Sequence, residues 1–192
     1  MAILEILEAP DPRLKTVSKP VDTFDDQLKI LVDDMFETMY AAHGIGLAAI
    51  QVGIPLRVLV IDLQPDDEDA EPEPCDHDHG HDGHHHTHQP TRREPQVFIN
   101  PEILDPSVET KSYQEGCLSV PDIYADVERP SACRVRWQDL QGNQHEQEMD
   151  ELMAVCIQHE MDHLNGVLFI DHLSRLKRSM ALKKLEKARK AA

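Results

Sequence analysis

The sequence predicts an α+β fold: antiparallel β-sheets packed around one central helix, with a second, basic helix closing the chain. Three observations carry this. Residues 151–164 contain neither Gly nor Pro, and Leu152, Val155, Cys156, Met161 and Leu164 make them apolar on most sides, the pattern of a buried helix. Just upstream, Cys133, Val135 and Trp137 alternate with Arg134, Arg136 and Gln138, the period of a half-buried strand; Asp139-Leu140-Gln141-Gly142-Asn143 is a turn from which Gln144–Met149 can return antiparallel. The strands cluster before the helix instead of alternating with helices, which argues against a βαβ repeat. With 192 residues and 40% apolar composition, one domain over 1–192 can bury a core.

Taken in order, the N-terminal stretch MAILEILEAPDPR carries Glu5 and Glu8 where an export signal would be basic, and no apolar run is long enough to span a bilayer. A cytoplasmic protein with no membrane partner is expected. The four Cys, at 75, 117, 133 and 156, have no paired spacing, which fits reduced thiols. Thr23-Phe24-Asp25-Asp26 reads as a capping box, and Leu28, Leu31, Met35, Phe36, Met39 and Tyr40 follow at helical intervals up to Gly44. The small-residue run Gly44–Gly53 reads as a tight turn packed on a neighbour, with Gln51 as its one polar side chain. Arg57–Leu63 reads as a buried strand.

Residues 64–95 break the pattern. Seven of the twelve His lie between 77 and 88, and nine acids between 66 and 82 supply over half of the net charge of −17. Nothing there can build a core, so a disordered acidic, His-rich loop insertion is expected; such tracts also bind divalent metals, a second use for it. Gln96–Asn100 reads as a strand and Ile103–Tyr113 as its extended continuation. In Gln114-Glu115-Gly116-Cys117-Leu118-Ser119-Val120-Pro121, Gly116 gives Cys117 freedom to aim its sulfur and Pro121 closes the segment. Residues 174–191 form a helix with eight basic residues against Glu186, and a short stripe of Leu173, Leu176 and Met180 leaves its distal half little to pack against.

Chemistry concentrates at Gln158-His159-Glu160-Met161-Asp162-His163. On a helix, His159 and His163 leave the same face one turn apart and can share a cation. Glu160 lies beside them and can serve as a base without ligating. Catalytic sites of this type use three protein ligands. Downstream, Phe169 stands where one protease pattern would place a third His, and Glu186 sits in the basic tail, so the third ligand is sought upstream. Cys117 supplies a thiolate. Cys156 does not, since it lies seven residues and about 10.5 Å of helix rise from His163; it suits a pocket wall.

The segments GIGLAAIQ (44–51), EGCLS (115–119) and HEMDH (159–163) match in full, and in order, the three motifs of the peptide deformylase family, which the chain resembles over nearly its whole length outside the His-rich tract. The resemblance implies one divalent metal, Fe²⁺ in preference with Zn²⁺, Ni²⁺ or Co²⁺ as substitutes, held by Cys117, His159 and His163, with Glu160 as acid and base. It implies that Gln51 and the Leu118 N–H bind the oxyanion, and that Gly46 contacts substrate backbone. Ile45, Leu152, Val155 and Cys156 are then candidates for a methionine pocket. The implied reaction removes the formyl group from N-formyl-methionyl nascent peptides, and the implied partner of the basic tail is the ribosome near its exit tunnel, with no DNA involved. A metallopeptidase acting on another amide, and a metal buffer working through the His-rich tract, are the alternatives. The 64–95 insertion departs from the short connection expected there. Because a polar tract contributes nothing to a core, deletion of residues 66–92 is expected to preserve hydrolysis of short formyl-peptides; collapse of the fold, seen by circular dichroism, would make the tract a structural element.

Overall fold

The apolar run Val58-Leu59-Val60-Ile61 is a strand buried on both faces, and those two faces divide the core. The computed structural model describes residues 2–64 and 92–191. Its elements are α1 (Asp26–Ala41), β1 (Gly46–Ala48), β2 (Val58–Ile61), β3 (Gln96–Pro106), β4 (Thr110–Cys117), β5 (Val120–Pro130), β6 (Ala132–Gln138), β7 (Gln144–Asp150), α2 (Glu151–Leu164) and α3 (Arg175–Ala191). One antiparallel sheet has the order β1-β2-β3-β6-β7, and β4 pairs with β5 as a separate hairpin. Leu59 and Ile61 pack with Phe98, Val135, Ile157 and Leu164 on the α2 side, whereas Val58 and Val60 pack with Val32, Met35 and Met39 of α1 on the other. That two-sided burial is why the run is continuously apolar instead of alternating. The architecture is the expected α+β arrangement around the HExxH helix, whose bounds Glu151–Leu164 and stop at Asn165-Gly166 (φ 72° at Gly166) follow the sequence reading.

Several local readings change. The cap of α1 is Asp25, not Thr23: its carboxylate accepts from the N–H groups of Gln27 and Leu28 at 3.1 and 3.0 Å. The Gly44–Gly53 turn contains the edge strand β1 and a 3-10 helix, Ala49–Val52. The buried strand is shorter than Arg57–Leu63. The extended stretch from Ile103 to Tyr113 is two strands, because the chain turns at 107–109, where the Ser107 hydroxyl donates to Glu109 O. Pro121 does not close its segment. It stands near the start of β5, a strand missed in the sequence because Arg129 occupies the inward phase set by Ile123 and Val127.

The apolar stripe of α3 also differs from expectation. Leu176 and Met180 are exposed, and it is the distal Ala181 and Leu185 that are buried, against the cluster containing Val120, Ile123 and Val127 of β5. The helix therefore packs by its middle on the hairpin. The insertion expected at 64–95 lies almost wholly outside the described residues. No helix among the described residues is long and apolar enough to cross a membrane.

The cap assignment has a direct check. Asp25→Ala is expected to lower stability by about 1 kcal/mol, while Thr23→Ala stays within about 0.5 kcal/mol, as read from urea midpoints. The reverse order would restore Thr23 as the cap.

Candidate metal centre and active-site cavity

His159 and His163 emerge from one face of α2, both buried, with ring centroids 5.1 Å apart in an edge-on arrangement. Cys117, the last residue of β4, faces them: its sulfur is 3.2 Å from His163 Nε2. Ligand atoms of Cys117, His159 and His163 all lie within 4.8 Å of one another. A break in the β4–β5 register between Glu115 and Cys117 turns the cysteine toward α2 at the hairpin's end. Gly116 serves this corner differently from expectation. Its φ is not left-handed; rather, a Cβ there would come within 2.7 Å of the Tyr124 ring, so the glycine makes space and not freedom.

His159 Nδ1 lies 2.8 Å from Glu115 Oε2. A carboxylate can only accept, so Nδ1 carries the proton and the lone pair of the ring is left on Nε2, the tautomer a metal-ligating imidazole needs. Glu115 is itself gripped by buried Arg129, through Nε at 2.5 Å and Nη2 at 3.0 Å, and Arg129 Nη1 reaches Asp162 at 2.9 Å. Burial would raise the Glu115 carboxyl, but hydrogen bonds from His159 and Arg129 outweigh it and hold the group down at about 2. Asp162 also accepts from His172 Nε2 at 2.7 Å. None of Glu115, Arg129 and Asp162 was assigned a role from sequence. The one available signal was an Arg on the inward phase of an otherwise apolar strand. Two imidazoles and a thiolate, one imidazole already oriented by a carboxylate, fit a divalent transition metal. Cys156 stands outside this ligand group, and Phe169 stacks its ring on His159 with centroids 6.0 Å apart.

Glu160, adjacent to the ligand group, is almost fully buried and its Oε2 has no hydrogen-bond partner among the described residues. Burial pushes its carboxyl up to about 7. A Cβ on Gly46 would come within 2.5 Å of Glu160 Oε1 and 3.0 Å of Cys156 Sγ, so β1 approaches α2 only because residue 46 is glycine. Gln51 is buried, and its amide is aimed from behind: Oε1 accepts from the Ala48 N–H at 2.8 Å, leaving Nε2 to donate to Ser119 Oγ at 3.1 Å with Cys117 Sγ at 3.6 Å. The N-terminal segment braces both loops, with Leu7 N–H donating to Gln51 O (2.7 Å) and Ala9 N–H to Ser119 O (2.8 Å).

These groups share one cavity of about 490 Å³. Gly46, Gln51, Cys117, Leu118, His159 and Glu160 line it. Val155 and Cys156 form a buried wall, whereas Ile45 (37% exposed) and Leu152 (45%) stand at the mouth. Every residue singled out from the sequence except His163 lines this cavity, and His163 lies behind it against Cys117.

The chain as a whole is similar to proteins of one known family. The family model described as polypeptide deformylase matches residues 3–179. A peptide deformylase of Novosphingobium aromaticivorans is 76% identical over 192 residues, covering 100% of both chains. The crystal structure of a peptide deformylase from Legionella pneumophila superposes with a TM-score of 0.81 at 42% identity, covering 99% of this chain and 97% of that one. The crystal structure of peptide deformylase from Ehrlichia chaffeensis gives 0.82 at 38%, covering 99% and 98%.

The Arg129 bridge predicts a large stability effect. Arg129→Met leaves Glu115 and Asp162 without their shared cation, and a loss of about 3 kcal/mol in chemical denaturation is expected. A change below about 0.5 kcal/mol, the size of an ordinary surface substitution, would show that the bridge contributes little.

Proposed function

The chain belongs to the polypeptide deformylase family, an enzyme family, and on that premise we propose that it hydrolyses the N-formyl group from the N-terminal methionine of new polypeptides, releasing formate. The observation that carries this reading is the convergence, about one cavity, of a Cys117–His159–His163 ligand group, a Glu160 carboxylate oxygen unpartnered among the described residues, and a pre-aimed amide on Gln51. Cys117, His159 and His163 would hold one divalent ion, for which the family favours Fe²⁺, and which supplies Lewis acidity at neutral pH when bound.

The chain's own groups carry the rest. Glu160 Oε2 takes a proton from the attacking water and returns it to the leaving amine nitrogen, which suits an oxygen with no other partner. As negative charge develops on the formyl oxygen, Gln51 Nε2 and the Leu118 N–H donate to it; one such donor contributes roughly 3 to 4 kcal/mol in other enzymes. The Ala48 N–H keeps the Gln51 amide from turning its oxygen toward that charge. Among the described residues β1 has a strand neighbour on one edge alone, so an extended peptide can lie along its other edge beside Gly46. Ile45, Leu152, Val155 and Cys156 would then receive the methionine side chain, the last two from a buried wall.

Helix α3 presents Arg175, Lys177, Lys183, Lys187 and Arg189 to solvent, a charge suited to phosphate-rich RNA and hence to docking on the ribosome. Since Ala181 and Leu185 are buried, removing the helix would disturb the hairpin as well as the charge. The metal-buffer alternative rests on residues outside those described.

Two outcomes test the reading. Glu160→Ala should keep its metal but lose at least about a hundredfold in formate release, because a base and not a ligand is removed; full turnover would remove Glu160 from the mechanism. Reversing Lys177, Lys183, Lys187 and Arg189 to Glu should spare cleavage of a formyl-methionyl tripeptide but abolish salt-sensitive cosedimentation with ribosomes; unchanged cosedimentation would exclude docking through α3.

A further inference from the structure

Asp62 follows β2 directly and is fully buried, yet it belongs to none of the three motifs and touches none of the reacting groups. Its Oδ2 accepts from the Tyr40 hydroxyl at 2.6 Å, and its Oδ1 from the N–H groups of Gln64 and Glu94 at 3.0 and 3.1 Å. Its own N–H donates to Ile45 O at 2.9 Å. One residue pair further on, Gln64, held at φ 48°, swings its side chain back so that Nε2 donates to Gly44 O at 3.1 Å. The Arg93 guanidinium covers this cluster, 4.2 Å from the centroid of the Tyr40 ring.

The carbonyls of Gly44 and Ile45 belong to consecutive peptide planes, and both are tied from the side of Asp62 and Gln64. Fixing two successive planes fixes the direction of the Ile45 side chain between them and the path of the chain into Gly46. Those three residues line the cavity, and Gly46 begins the edge strand. A rim built on an edge has no second strand to hold it, so another support must do so.

We propose that Asp62 and Gln64 are positioning residues that hold the Gly44–Gly46 rim in register for an extended peptide, and thereby set how well the enzyme grips residues beyond the formyl-methionine. The inference rests on the reading of the cavity as a formyl-peptide site. Tyr40 serves it by locking the Asp62 carboxylate, and so links the end of α1 to the same rim. Burying a carboxylate is costly unless it is hydrogen-bonded, and here the Tyr40 hydroxyl holds one oxygen while the N–H groups of Gln64 and Glu94 hold the other.

The test compares two substrates that differ only beyond the first residue: N-formyl-methionine amide and a formyl-methionyl tripeptide. Gln64→Gly removes the bond to Gly44 O at a position whose left-handed φ glycine adopts readily, and Tyr40→Phe removes one bond to Asp62. Each should raise KM for the tripeptide roughly three- to tenfold, the effect of one lost hydrogen bond, with kcat within about twofold and a smaller rise in KM for the amide, which meets the rim only at Ile45 and Gly46. Asp62→Asn, whose amide can accept from both N–H groups and donate to the Tyr40 oxygen, should restore near-normal KM where Asp62→Ala does not. Unchanged tripeptide KM in folded Gln64→Gly and Tyr40→Phe, or an equal loss of kcat on both substrates, would overturn the positioning role. Absence of formate release by the wild-type chain on either substrate would instead overturn the formyl-peptide reading, and the inference with it.

Discussion

The hydrogen bond between Glu115 and His159 Nδ1 is the interaction on which the site depends. It joins the β4–β5 hairpin to α2, fixes the tautomer of one ligand, and places Cys117, two residues along the same strand, against the face that carries His163. Glu115 can sit in the interior as a carboxylate only because Arg129 crosses the hairpin to meet it and carries the remaining charge on to Asp162. The charges form a chain in which each buried group answers another. Removing a middle member leaves two groups stranded, so its loss costs far more than the loss of an exposed pair.

The second constraint is closeness. Strand β1 must pass near enough to α2 for its backbone to border the cavity, and the gap between Gly46 and Glu160 admits no Cβ. Among the described residues β1 is an edge strand, held by a strand partner on one side alone. The N-terminal segment braces the loops of Gln51 and Ser119 through Leu7 and Ala9. The groups proposed to act on the substrate lie on three separate segments and are held by neighbours outside the proposed chemistry.

The helix of the site was legible because its pattern needs no tertiary context: a Gly- and Pro-free apolar run with an i, i+4 histidine pair declares both its conformation and its face. The three motifs likewise mark residues that the fold brings together, Cys117 with His159 and His163, and Gly46 and Gln51 along one cavity. What the sequence hid were groups whose meaning comes from a partner far along the chain. Arg129 reads as a break in strand alternation until Glu115 and Asp162 are seen around it, and β5 was lost for that reason. Thr23 resembled a cap because a hydroxyl three residues before an acid is a common signature, yet Asp25 had the backbone geometry. Leu176 and Met180 looked like the buried stripe of α3, but the hairpin meets that helix along Ala181 and Leu185, a face that only the packing partner selects.

Hydrolysis is proposed to depend on one ion held by Cys117, His159 and His163. Metal content and formate release, measured together on the anaerobically purified wild-type chain and on Cys117→Ser, test it most directly. The wild type should carry close to one divalent ion per chain, with activity that a chelator removes and added Fe²⁺ restores, and the serine variant should lose metal and turnover in parallel. Undiminished formate release from a protein stripped of stoichiometric metal would contradict the account.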